Sequence, residues 1–284
     1  ASVDGRLRHA RNFDFPGMGV WDAAPAVVFC EPDDGLRYGF ATMRGVDAPG
    51  PTAFNEAGLS VTVNTRFHRD NRFDGASVVD MGHELIRRSR CLEDAIRVAQ
   101  GFESASTWGF VVSSAAERRA VLLETSGRRI SVVEPEEGAA HLASTNRYLA
   151  PSMRDGEVTI SPVFTADSDS RYARLGDAVE RARGRGLDVR DLERLLGDVL
   201  DLGARDLSPE CQRLAGNCVL SPASVQSVVF DPDAARLKIS VGRAPTGFGP
   251  FIEVPWSWDG PLGVVGIHPV DADAREPVDP QGTP

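Results

Sequence analysis

Lysine is all but missing from this 284-residue chain: Lys238 is the only one, and the other 30 of its 31 basic residues are arginine. Acidic residues number 41, so the formal net charge is -10. That excess of negative charge argues against a nucleic-acid partner, whose binding rests largely on phosphate neutralisation. Arginine in place of lysine, with much Ala, Gly, Val and Asp, reads as a GC-rich bacterial genome and carries no mechanism. Long apolar runs are also lacking: none approaches the ~18 residues that a membrane helix needs. No secretory leader is legible in the polar opening Ala1-Ser2-Val3-Asp4-Gly5, so a cytoplasmic location is the expectation. The four cysteines, Cys30, Cys91, Cys211 and Cys218, show no CxxC spacing, which excludes a zinc ribbon or a thioredoxin motif. Cys211 and Cys218 are near enough in sequence to bridge, although reduced thiols are the ordinary cytoplasmic state. His83-Glu84 lacks the second histidine of a zincin, and Gly75-Ala76-Ser77-Val78-Val79 lacks the second glycine of a nucleophile elbow. No metal or organic cofactor is implied.

What is present is enough apolar residue, 42%, to fill a globular core. Ala26–Cys30 and Leu36–Phe40 read as strands around the turn Asp33-Asp34-Gly35. Asn55-Glu56-Ala57-Gly58 is a turn into Leu59–Asn64, where Leu59, Val61 and Val63 alternate as in a half-buried strand. Thr65 to Gly75 is a polar loop. Asp80–Arg90 and Leu92–Phe102 have helical apolar spacing. Strands follow around Gly109–Val112, Ala120–Leu123 and Ile130–Val133, and His141–Thr145 is a strand-like lead into Asn146. Helices are expected from Asp169 to about Gly184 and from Asp188, the latter with the stripe Val189, Leu192, Leu195, Leu196, Val199 and Leu200. A last hairpin, Val225–Phe230 with Leu237–Val241, turns at Asp231-Pro232-Asp233. Strands do not alternate singly with helices, so the fold class is α+β with mainly antiparallel sheets. Residues 1–266 form one domain on this reading, and 267–284 a polar, mobile tail.

The residues able to carry chemistry stand at element ends: Arg11 and Asp14, Asn64, Asn146 and Arg171. Each has an ordinary structural reading. Arg11 with Asp14 reads as a surface ion pair, Asn64 as a turn former, and Arg171 as a solvated residue at a helix start. Cys30 in an apolar strand and Cys91 at a helix junction occupy ordinary structural places too; a thiol hydrolase built on either is a minor alternative. The aromatics Trp21, Phe54, Phe67 and Trp108 are pocket candidates or core.

Taken together, these segments resemble the penicillin acyltransferase-like branch of the N-terminal-nucleophile (Ntn) hydrolases, whose wider relatives include bile salt hydrolases, penicillin V acylases and acid ceramidase. The resemblance runs through Asp4-Gly5 and Arg11-Asn12-Phe13-Asp14, then Phe54-Asn55-Glu56-Ala57-Gly58-Leu59. It continues in Ser144-Thr145-Asn146-Arg147-Tyr148, in Ser170-Arg171-Tyr172-Ala173-Arg174, and in Ser227-Val228-Val229-Phe230-Asp231-Pro232. Each segment is short; their shared order, from Asp4 to about Val254, is the specific signal.

The resemblance implies an αββα four-layer sandwich with two antiparallel sheets. It implies an amidohydrolase or acyltransferase acting on an acyl amide or thioester, through an acyl-enzyme on an N-terminal cysteine freed by autoproteolysis. The cysteine's own α-amino group, with a pKa of roughly 7.7–8.0, serves as base. Asp14 would hold that amino group and thiol, and Arg11 would favour thiolate. Asn146 would offer its side-chain NH2 to the oxyanion, Asn64 a second donor from backbone or side chain, and Arg171 would lie over the nucleophile. Position 147 is Arg where the family often has His. No cysteine precedes Asp4, so the nucleophile is expected about six to ten residues before residue 1. The alternative is an Ntn-fold protein without a nucleophile that binds a ligand. The implied partner is a small acyl substrate; nothing in the sequence argues for or against a homo-oligomer.

Overall fold

Residues 5–43, 52–139, 141–199, 218–256 and 258 are described by the computed structural model. The tail 267–284, Leu200 and Cys211 lie outside them. The strands are β1 (His9–Asp14), β2 (Pro25–Cys30), β3 (Tyr38–Met43), β4 (Thr52–Asn55), β5 (Leu59–Thr65), β6 (Trp108–Ser114), β7 (Arg119–Thr125), β8 (Ile130–Val133), β9 (Ser224–Asp231), β10 (Arg236–Ser240) and β11 (Phe251–Pro255). The helices are α1 (Val78–Arg88), α2 (Leu92–Gln100), α3 (Pro151–Arg154), α4 (Pro162–Arg181) and α5 (Val189–Leu196). None among the described residues is long and apolar enough to cross a membrane. The fold class is α+β with two antiparallel sheets. By contacts the chain divides into two compact units. The first draws on Ala1–Val27, Thr42–Val46 and Ala173–Pro284, the second on Val28–Ala41 and Asp47–Tyr172.

The second unit is organised on a sheet of order β2-β3-β4-β5-β6-β7-β8. Leu59, Val61 and Val63 of β5 share one face, as their alternation predicts, and pack with Met81, Leu85 and Ile86 of α1 and Leu92, Ala95 and Ala99 of α2. Each such large apolar side chain contributes about 1.5–3 kcal/mol on burial. The expectation that β5 is half-buried is not met. Ser60 and Thr62 on its other face are buried as well, because small hydroxyls satisfy each other across strands: Ser60 Oγ lies 2.6 Å from Ser113 Oγ. Helix α1 starts two residues earlier than its apolar stripe suggests. Ser77 caps it, accepting from Asp80 N at 3.2 Å while the Asp80 carboxylate accepts from Ser77 N, so Asp80 is the third residue of the helix rather than the first. The Asn55 turn is held at both ends of its side chain. Oδ1 accepts from Ala57 N and Leu59 N at 3.1 Å, and Nδ2 donates to Ile86 O and Ser89 O at 2.8 Å. Two expectations fail nearby. His141–Thr145 forms no strand, and helix α4 begins at Pro162, not Asp169, because Ser161-Pro162 is itself a start signal: Ser161 Oγ accepts from Val163 N at 3.2 Å.

The first unit is organised on the sheet β1-β9-β10-β11, antiparallel at each pairing. The expected hairpin of β9 and β10 is present, turned by Ala235 in the left-handed conformation (φ 49°). Helix α5 starts where Asp188 accepts from Asp191 N at 2.8 Å. Strand β1 has no apolar alternation to announce it. Its odd residues, His9, Arg11 and Phe13, lie opposite Phe230, Val228 and Gln226. His9 and Arg11 are both buried although β1 is an end strand of its sheet among the described residues, so the surface ion-pair reading of Arg11 is wrong.

Burial first, and the Arg11 charge second, push the His9 imidazole down to about 3. The folded protein therefore holds His9 neutral, whereas the unfolded chain binds a proton at the ordinary value of 6.5. Stability from this group is complete above pH 6.5 and is lost as pH falls towards 3. His9→Leu is expected to flatten that limb of the stability curve. Urea unfolding at pH 7 and pH 5 checks it; an unchanged pH slope in the variant would refute the assignment.

Candidate active site

Arg11 and Asp14 belong to the first unit and are positioned by β1. The Arg11 guanidinium lies over the Phe13 ring at 4.7 Å, a cation–π contact. Burial pushes its pKa down, to about 9, while the Asp14 charge pulls it back up; it remains a cation at neutral pH. Between Phe13 and Asp14 the ladder with β9 shifts by one residue. A regular ladder would set Val225 opposite Asp14; the bulge sets Ser224 there, and Ser224 Oγ donates to Asp14 Oδ1 at 2.5 Å. Asn12, between the two candidates, uses its whole carboxamide to anchor the strand. Nδ2 donates to Leu196 O at 2.8 Å and Val219 O at 3.0 Å, and Oδ1 accepts from Ser227 Oγ at 2.6 Å. Asp14 itself is exposed.

Asn64, Asn146 and Arg171 belong to the second unit, and there the structure brings them into one network. Asn146 Nδ2 donates to Thr65 O at 3.2 Å, and Arg171 Nη2 donates to Asn146 Oδ1 at 2.8 Å. A carbonyl can only accept and a guanidinium can only donate, so the two partners fix which end of the amide is which. One N–H of Asn146 is engaged by Thr65; the amide carries two. Arg171 is in turn held by Asp167, at 2.9 Å to Nε and 2.7 Å to Nη2, with its side chain only 11% exposed. It sits mid-helix in α4, where one turn separates it from Asp167, and not at the helix start the sequence suggests. Asn64 Oδ1 accepts from Ser144 Oγ at 3.4 Å, which leaves its Nδ2 without a hydrogen-bond partner among the described residues. Asn146 N donates to the buried Ser168 Oγ at 2.9 Å.

Beneath this network lies a group that sequence reasoning missed. Arg66 and Glu124 have fully buried side chains and pair at 3.8 Å. Arg66 donates to Thr145 O and, at 2.7 Å, to Ser144 Oγ; Glu124 accepts from Leu149 N at 2.7 Å and Ala150 N at 2.9 Å. The segment carrying Asn146 is therefore fixed from both sides. A Cβ on Gly109, the residue opposite Asn64, would stand 2.7 Å from Arg66 Nη2, so a larger residue there would displace the guanidinium. The available signal was Arg66 lying two residues past Asn64. Position 147 also acquires a structural role: Arg147 grips Glu157 at 2.8 and 3.0 Å, and that hydrogen bonding raises its pKa.

The other candidates are structural. Cys30 and Cys91 are free and half-buried, Cys30 within β2 and Cys91 before the first turn of α2. Cys218 is free and buried, its thiol donating to Leu220 O at 2.9 Å. Phe54 is fully buried; Trp108 is partly buried and packs against the cluster formed with α1 and α2. Phe67 meets Phe164 edge-on at 5.5 Å, and Trp21 meets Phe15 at 5.2 Å.

A family model described as acyl-coenzyme A:6-aminopenicillanic acid acyl-transferase matches residues 6–243. No curated protein sequence matches. Among solved structures, a mutant conjugated bile acid hydrolase from Clostridium perfringens is 9% identical, covering 89% of this chain and 90% of its own, with a TM-score of 0.59. An N-acylethanolamine-hydrolyzing acid amidase ortholog from Caenorhabditis elegans is 12% identical, covering 80% and 88%, with a TM-score of 0.52. At such identities the likeness is one of fold: an α+β chain with two antiparallel sheets.

Removing Arg66 leaves the Glu124 charge buried without its counter-ion, which costs about 3–5 kcal/mol. Burial already pushes the Glu124 pKa up, so the variant can escape part of the loss by protonation at acid pH. Arg66→Met is thus expected to lose more stability at pH 8 than at pH 5, and Glu124→Gln added to it to recover part. Denaturant unfolding of the single and double variants measures this; a single-variant loss under about 1 kcal/mol would contradict the role given to the pair.

Proposed function

The chain belongs to the acyl-coenzyme A:6-aminopenicillanic acid acyl-transferase family, and from that membership we propose that it is an amidohydrolase or acyltransferase of the Ntn type, working through a cysteine acyl-enzyme. The nucleophile in this reading is an N-terminal cysteine placed before residue 1 and exposed by autoproteolysis. Its α-amino group takes the thiol proton as sulfur attacks the acyl carbonyl. The tetrahedral intermediate collapses by breaking the bond to the leaving group, and the leaving amine or thiol takes the proton from the α-ammonium. Water then releases the acid, or an acceptor amine takes the acyl group. The same reading makes residues 1–266 one catalytic domain with αββα layering.

Asn146 is the observation that carries the proposal. Its amide is held at the oxygen by Arg171 and at the nitrogen by Thr65 O, with one N–H left over for an oxyanion. A donor held in advance costs no reorganisation when charge develops on oxygen. Asn64, in the same network, supports a second donor. Arg11, a buried cation, favours a thiolate in its neighbourhood, and Asp14, oriented by Ser224, suits an α-ammonium partner. Arg171 acts as a positioning residue through Asn146.

Two measurements test this. The intact mass and N-terminal sequence of the native gene product are expected to show a cysteine terminus and, on incubation with an N-acyl amide or acyl thioester, a covalent acyl adduct. A terminus other than Cys, Ser or Thr together with no turnover would sink the proposal in favour of a ligand-binding protein. Asn146→Ala is expected to lower kcat about 100- to 1,000-fold with little change in thermal midpoint. A kcat within a few-fold of the parent would remove Asn146 from the oxyanion role.

A further inference from the structure

Gln226 has no part in the arrangement described so far, and its surroundings give it one. It lies on β9 directly opposite Phe13, between Val228, which faces Arg11, and Ser224, which faces Asp14. Residues two apart on a strand share a face, so Gln226 stands on the face that carries Arg11 and Phe13. Its neighbours there, Val228, Phe230, Leu237 and Ile239, are apolar and fully buried. Gln226 is itself only 8% exposed, yet its Oε1 is buried with no hydrogen-bond partner among the described residues. The serines beside it are spent: Ser224 Oγ donates to Asp14, and Ser227 Oγ donates to Asn12. A leucine or methionine would fill the same space without burying an unmatched acceptor. A buried acceptor beside two groups of a reaction centre calls for a donor that arrives with the reactants.

We propose that Gln226 is a specificity-determining residue whose side-chain carbonyl accepts a hydrogen bond from the N–H of the scissile amide, so that the site prefers secondary amides to thioesters. The inference rests on the acyl-transfer reading above and deepens it by choosing between its two substrate classes. A secondary amide carries a hydrogen on the atom that departs; the sulfur of a thioester carries none. A site holding a fixed acceptor discriminates against the analogue that leaves it unmatched. If the donor were instead the α-amino group of the nucleophile, loss of Gln226 would harm both substrates alike.

The test compares an N-acyl amide with the thioester of the same acyl group, using the active full-length protein. Gln226→Met, close in shape and without the acceptor, is expected to lose about tenfold in kcat/KM on the amide and to keep its thioester rate within about twofold. Gln226→Glu, which retains an acceptor, is expected to keep the amide preference. Equal losses on both substrates, or no loss on the amide, would overturn the proposal. If neither variant folds, as judged by thermal midpoint, the unmutated protein decides: an N-methylated amide is expected to show a kcat/KM at least about tenfold below its N–H parent, and equal rates would overturn the proposal. Absence of turnover of any of these substrates by the unmutated protein would instead bring down the acyl-transfer reading, and this inference with it.

Discussion

The buried ion pair of Arg66 and Glu124 is the constraint around which the second unit is arranged. Taking both charges out of water is costly, and at 3.8 Å their mutual attraction alone does not make the arrangement favourable. Burial is the leading influence on each: it pushes Arg66 down, to about 10, and Glu124 up. What offsets the cost is the set of neutral groups around them. Residues 144–150 lie in no strand, so their backbone groups have no ladder to satisfy them. Arg66 supplies donors to the Thr145 carbonyl and the Ser144 hydroxyl, and Glu124 supplies acceptors to Leu149 N and Ala150 N. An apolar pair of equal volume would spare the desolvation and leave those groups unmatched. Charge is used here because irregular backbone has to be held still inside a protein.

The first unit meets a similar demand with neutral groups. Asn12 spends both N–H donors and its oxygen on Leu196 O, Val219 O and Ser227 Oγ, fixing β1 to the end of α5, to the approach to β9, and to β9 itself. Arg11 is already a buried cation on the same strand, and a second buried charge would need its own counter-ion. A carboxamide gives direction without adding charge. The two units thus hold their candidate residues by different physics, one through a desolvated ion pair and one through saturated neutral hydrogen bonds.

Elements with a clean period were legible in the sequence. Leu59, Val61 and Val63 announced β5; Met81, Leu85 and Ile86 announced α1; the Asp231-Pro232-Asp233 turn announced the β9–β10 hairpin. Strand β1 was not, since alternation is sought among apolar residues and its enclosed positions include His9 and Arg11. The start of α4 was missed because Val163 is exposed, so the first turns show no stripe although Ser161-Pro162 marks them. The segment before Asn146 reads as strand-like in sequence but forms no strand; a strand also needs a neighbour that no local pattern reveals. Asn64, Asn146 and Arg171 were individually unremarkable polar residues, visible as a set only through family order. Arg66 and Glu124 were invisible for a deeper reason: a charged residue in sequence looks solvated until its counter-ion, 58 positions away, is seen to be buried with it.

The bulge in β9 shows how small a displacement can decide chemistry. One extra residue moves Val225 out of register and sets a hydroxyl, that of Ser224, opposite Asp14. Interrupting a ladder frees backbone groups, and these are met locally: Ser224 N donates to Ser221 O at 3.0 Å, and Thr246 Oγ1 donates to Ser224 O at 3.1 Å. The irregular position is therefore supported on both sides of the peptide and is not a frayed strand end. It also separates two tasks along β9. Above the shift, Ser227 keeps regular register and anchors Asn12; at the shift, Ser224 turns to the carboxylate. With regular pairing throughout, the anchor would survive and Asp14 would face a valine in place of the Ser224 hydroxyl. A carboxylate proposed to orient an ammonium needs a fixed direction, and the inserted residue contributes to it by bringing the Ser224 hydroxyl to Asp14.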